Sequence, residues 1–122
     1  MHSKRIVLVE GVRTPIGRYG DVIKNVKSGF LASRVIEGVL EKSCLSPTYV
    51  DEVILGEVRQ TSESSNVARV AALRAGIPHS ASAFTVNRLC ASVMQAIASG
   101  VQQIQSGQAK KVIAGGTESM SN

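Results

Sequence analysis

The chain has 122 residues and a mass of 12.9 kDa, enough for one domain that buries its own core. With 43% apolar and 19% charged residues it is not a wholly disordered chain, and its four aromatics (Tyr19, Phe30, Tyr49 and Phe84) exclude a base-stacking platform for single-stranded nucleic acid. The net charge of +5 is spread over scattered bases, with no basic helix or RNA-binding signature, and reads as solvated surface rather than a nucleic-acid face.

Met1 to Arg5 is basic and leads into an apolar run at 6–9 that is too short for a secretory signal. No apolar run approaches the ~18 residues that span a bilayer. Residues 6–9, 53–55, 83–86 and 112–114 form four short apolar runs that suit strands. The first two lack strict alternation, as strands buried on both faces do. Between 28 and 44, Leu31, Val35, Val39 and Leu40 recur at helical spacing, with Glu37, Glu41 and Lys42 elsewhere on the cylinder. Ser46-Pro47 predicts a cap and a short helical turn over 47–51. A second helix is predicted from its N-cap Asn66 to Ala75, stopped by Gly76 and Pro78. The third is predicted over 90–106, with Val93, Ile97, Val101 and Ile104 as its apolar stripe and Gly107 as its end. Ala91, Ser92, Ala96, Ala98, Ser99 and Gly100 leave much of its surface small, so it can lie close to neighbours.

The order β-α-β-α-β-α-β predicts an α/β fold, a mostly parallel sheet with right-handed crossovers and helices on both faces. A doubly wound sheet ordinarily continues past a fourth strand, so 1–122 reads as the first part of a larger domain.

Cys90 follows the third predicted strand and opens the third predicted helix. Ligand sites gather at the carboxyl ends of parallel strands. Helix N-termini favour negative charge, and a thiol placed there is favoured in its nucleophilic thiolate form. The alternative is a small buried core cysteine. Cys44, at the far end of the first helix, reads as structural. Neither cysteine sits in a CxxC or metal-ligand spacing, so the expectation is two free thiols, no metal, and a reducing, cytoplasmic setting. A nucleophile needs a base. His2 is terminal. His79 precedes the third strand whereas Cys90 follows it, and the intervening extended residues separate them by ~23 Å. His79 therefore reads as a loop residue. Gly11, Gly17 and Gly20 make no dinucleotide fingerprint, and no Walker lysine motif occurs. Gly115-Gly116 reads more readily as a turn than as a close approach of ligand or backbone.

These residues together resemble the thiolase family, over nearly everything from Arg5 onward. Val12-Arg13-Thr14-Pro15-Ile16-Gly17-Arg18 is similar to the family's opening motif. Asn66-Val67-Ala68-Arg69 with Ala71-Ala72-Leu73 resembles its second helix. Val86-Asn87-Arg88-Leu89-Cys90-Ala91-Ser92, continued by Met94-Gln95-Ala96-Ile97, resembles the segment around the acyl-accepting cysteine. Gly115-Gly116-Thr117-Glu118-Ser119-Met120-Ser121 resembles the stretch leading to the coenzyme A-binding loop domain. The resemblance implies that Cys90 is the nucleophile of a thiolase-type acyltransferase acting through a cysteine thioester. Its substrates would be acyl-CoA, including acetyl-CoA, and free coenzyme A, with no resident cofactor and a homo-oligomeric complete form. It also implies that 1–122 is a partial N-terminal domain, lacking the loop domain and the C-terminal half with the base histidine and second cysteine. The chain alone is then expected not to turn over. Val93 departs from the family's pattern, which has a small residue three positions after the nucleophile. A related condensing enzyme and a non-catalytic acyl- or lipid-binding relative are the rival readings. Arg13-Thr14-Pro15 and Cys90-Ala91-Ser92 favour thiolase over the first, and Val93 is the best support for the second.

Overall fold

A computed structural model, which describes residues 5–122, contains a three-stranded parallel sheet with helices on both faces. The elements in chain order are α1 (Ser28–Ser43), a 3-10 turn (Pro47–Tyr49), β1 (Glu52–Gly56), α2 (Val67–Arg74), β2 (Ser82–Val86), α3 (Ser92–Gln105) and β3 (Val112–Gly116). The strand order is β2-β1-β3, with Ile54 opposite Phe84 on one side and Ala114 on the other.

Central β1 is buried along its whole length, as its unbroken apolar run requires. Val53 and Leu55 face α1 and α2, in a core with Ala32, Ile36, Leu40, Val67, Ala68, Ala71 and Ala72. Gly56 faces α3 on the other side, where a Cβ would come within 2.8 Å of the Ser92 main chain. Several caps are legible in the sequence. The Ser46 hydroxyl accepts from the Thr48 N–H ahead of Pro47. The Asn66 Oδ1 accepts from the Arg69 N–H at 3.3 Å and from the Thr85 hydroxyl at 2.8 Å, tying α2 to β2. Cys44 closes α1 in the left-handed conformation (φ 55°), a position glycine usually fills, and is exposed.

Two expectations need correction. Residues 6–9 form no strand: Val7, Leu8 and Val9 are 67%, 88% and 77% exposed. They line a cleft of about 1280 Å³ together with β3 and do not join its ladder, which contains β2, β1 and β3 alone among the described residues. The bulky helical stripes also do not face the core. Leu31, Val35 and Val39 of α1, and Ile97, Val101 and Ile104 of α3, line that same cleft. In α1 the buried face joins small residues (Ser28, Gly29, Ala32 and Ser33) to Ile36 and to Leu40, the one member of the expected stripe that is buried, whereas in α3 it is small throughout: Ser92, Ala96 and Gly100. Small side chains let the helices sit close, and a Cβ on Gly100 would meet Val112 Cγ1 at 3.1 Å.

Candidate functional site

The carboxyl ends of all three strands open onto one concavity of about 480 Å³. Its wall includes Gly56, Glu57 and Val58 after β1, Leu89, Cys90, Ser92 and Val93 between β2 and α3, and Thr117 and Glu118 after β3. Cys90 is therefore at the strand-to-helix junction, and it is exposed. The alternative of a buried core cysteine does not hold. α3 begins at Ser92 rather than at Cys90, so the thiol precedes the Ala91 cap instead of occupying the first turn.

A hydrogen-bonded turn presents the thiol. The Asn87 amide donates to the Val58 carbonyl (3.1 Å) and its Oδ1 accepts the Leu89 N–H (3.0 Å). The Ser92 hydroxyl accepts the Arg88 N–H (2.9 Å) and donates to the Leu89 carbonyl (2.7 Å). Arg88 reaches forward to the Gln95 side chain. These bonds hold Leu89 at φ 50°, a left-handed conformation that costs a branched residue about 1–3 kcal/mol. Strain of this kind persists where surroundings over-determine it, and here it sets the backbone immediately before the thiol.

The rest of the wall is also laced together. The Glu118 carboxylate accepts the N–H groups of Val58 (2.8 Å) and Arg59 (3.2 Å). The Thr117 N–H donates to the Gly56 carbonyl at 3.0 Å, and its hydroxyl donates to the Ser28 carbonyl at 2.9 Å. Glu57 is 1% exposed and neither of its carboxylate oxygens has a hydrogen-bond partner among the described residues. Burial pushes its carboxyl above the ordinary range. The nearby Ser28 hydroxyl offsets part of this without closing a well-formed bond, and the Glu118 charge adds to the rise.

Gly115-Gly116 is strand rather than the expected turn, and what comes closest at Gly116 is a side chain, that of Val93, rather than a ligand or another backbone. A Cβ on Gly116 would collide with Val93 Cγ2, so glycine lets α3 settle onto the end of β3. His79 is exposed in the loop before β2, at the opposite end of that strand from Cys90. His2 lies outside the described residues. Sequence reasoning did not single out Glu57. The signal was its place directly after an unbroken apolar strand, at the edge where such sheets bind ligands.

An α/β sheet carrying an exposed cysteine at a strand-to-helix junction defines a class of cysteine-bearing α/β folds. Within it the particular family is clear: residues 6–122 match the family model described as "Thiolase, N-terminal domain", and the chain belongs to the thiolase family. It is 46% identical over 117 residues to a probable acetyl-CoA acyltransferase of Staphylococcus epidermidis, covering 96% of this chain and 30% of that one. A Staphylococcus aureus protein described in the same words is 41% identical over the same length. The crystal structure of the Bacillus anthracis acetyl-CoA acetyltransferase superposes with a TM-score of 0.92 at 44% identity, covering 95% of this chain and 29% of that one. The chain thus spans about 30% of the length of these relatives.

Proposed function

We propose that the chain carries the acyl-accepting cysteine of a thiolase-type acyltransferase, an acetyl-CoA C-acetyltransferase or a 3-ketoacyl-CoA thiolase. The observation that carries this reading is the exposed thiol of Cys90, set by a strained, hydrogen-bonded turn where β2 hands over to α3. In the proposed reaction the Cys90 thiolate attacks the carbonyl carbon of an acyl-CoA. The carbonyl π electrons move to oxygen, and in this reading the Cys90 backbone N–H donates to that oxyanion. When the oxyanion collapses, the bond to the coenzyme A sulfur breaks. Coenzyme A leaves as the thiolate and takes a proton, and the acyl group stays on Cys90 as a thioester. The acyl group then passes to free coenzyme A or to the carbanion of a second acyl-CoA. His79 sits at the wrong end of β2 to serve as base, so the described residues support acylation of Cys90 rather than turnover.

The partners in this reading are acyl-CoA, coenzyme A and, in the complete protein, further copies of the same chain, in the cytoplasm. No helix among the described residues is long and apolar enough to cross a membrane. The test uses Cys44, also exposed, as an internal control. Incubation with acetyl-CoA should protect Cys90 from later alkylation by iodoacetamide and leave Cys44 unprotected, as mapped on peptides. Equal protection of both thiols, or of neither, would overturn the reading.

A further inference from the structure

The side chain on the first turn of α3 after the candidate nucleophile is Val93, and its placement has consequences for what can reach the thiol. Val93 lines the concavity together with Cys90 and Leu89 and is 45% exposed, so it presents a free surface there. Its other side is seated. Its Cγ2 occupies the space a Cβ on Gly116 would take, directly over the end of β3. A β-branched side chain in a helix is confined almost entirely to one χ1 rotamer. Val93 is stiff by its chemistry and backed by strand, so it cannot swing aside as a leucine or methionine would. The helix beneath it is equally fixed, because Gly56 brings the Ser92 main chain down onto β1. Leu89, held at φ 50° by Asn87 and Ser92, adds a second branched apolar group to the same wall.

From this geometry we infer that Val93 is a specificity-determining residue, a rigid wall that admits short, unbranched acyl groups to Cys90 and rejects those branched beside the carbonyl. The inference rests on Cys90 being the acyl acceptor and names the substrate class of that site. The polar groups of the concavity do not account for such selection: Glu118 is committed to the Val58 and Arg59 N–H groups, and the Glu57 oxygens are enclosed. Selection at the thiol therefore falls to shape.

The probe is a graded series of maleimides bearing methyl, ethyl and tert-butyl groups, reacted with the 122-residue chain in a Cys44→Ser background, with acetyl-CoA and isobutanoyl-CoA as a parallel pair. Val93→Ala should raise the rate of the branched reagent relative to the smallest by about tenfold, the effect of one or two methyl groups in a tight apolar pocket. Val93→Ile should move the same ratio the other way. Val93 is half-exposed, so both variants should keep the wild-type circular dichroism spectrum, and the opposed directions separate selection from loosened folding. Unchanged ratios with Cys90 still reactive would overturn the inference alone. Ratios that move the same way in both variants would also overturn it. A Cys90 that no reagent modifies would overturn the functional reading and this inference together.

Discussion

At the scale of single residues, two side chains carry the account, and they differ in how far they could be read in advance. The placement of Cys90 was legible because the thiol sits between an apolar strand run and a helical repeat, and topology dictates what such a junction faces. Its exposure was not legible. It follows from the turn built by Asn87 and Ser92, whose bonds depend on where Val58 and Leu89 come to lie. Glu57 was not legible at all, since a lone glutamate after a strand looks like ordinary surface until burial is known. Its carboxyl is enclosed with no hydrogen-bond partner among the described residues, so the folded state favours the protonated form. The contribution of Glu57 to stability is therefore complete below its ordinary value of 4.5 and is lost as the pH rises through the raised folded value. Asp51 and Glu10, held below the ordinary range first by the Lys110 and Gly11 N–H groups respectively, act at lower pH with the opposite sign. Urea midpoints measured from about pH 5 to about pH 8 should fall for the wild type and stay nearly flat for Glu57→Gln. At the alkaline end Glu57→Met should be more stable than wild type by about 1–3 kcal/mol, the usual penalty of an unsatisfied buried polar group. Parallel curves for wild type and Glu57→Gln would contradict this description of the carboxyl.

At the scale of elements, local chemistry was a reliable guide where a cap or a stop signal was present. Asn66, Ser46-Pro47 and Gly107 mark the ends of helices that the structure shows within a residue or two of expectation. Which helical face is buried was less legible. In α3 apolar periodicity pointed to the bulky stripe whereas close packing selected the small residues beside it, and in α1 only Leu40 of the stripe is buried, beside Ile36 and small residues. Hydrophobic pattern reports that a face is covered or turned to a cleft, but separation between elements is set by side-chain volume. The Gly115-Gly116 pair shows the same point, since its function depends on a side chain from another element, Val93. Asn66 gives the cleanest test at this scale, because its amide caps α2, accepts from Thr85 and donates to the Ala83 carbonyl. Asn66→Ala should lower stability by about 1–2 kcal/mol in urea denaturation, near the upper range for a cap. A midpoint equal to wild type would show that these three bonds do not hold α2 to β2.

At the scale of the whole molecule, the parallel sheet with helices on both faces was readable from the alternation of short apolar runs and helical repeats. The run at 6–9 has strand composition without strand structure, because β pairing is a property of two segments and composition alone cannot supply the partner. The cleft leaves a large apolar surface open, with Val7, Leu8 and Val9 on one wall and the α1 and α3 stripes on the others. Such surfaces drive association. The 122-residue chain should therefore sediment as a concentration-dependent mixture of oligomers. Leu8→Lys, at a side chain 88% exposed, should shift it toward monomer without loss of helical signal. A monodisperse wild-type monomer would contradict this.

The central claim is that the Cys90 thiol is built to take an acyl group. The most direct measurement is peptide mapping after incubation with acetyl-CoA and acid quenching, with Cys90→Ala and Cys44→Ala in parallel. An acetyl thioester on Cys90, retained in Cys44→Ala and missing from Cys90→Ala, is the predicted result. Acetyl groups found on Cys44 as readily as on Cys90, or on neither, would contradict it.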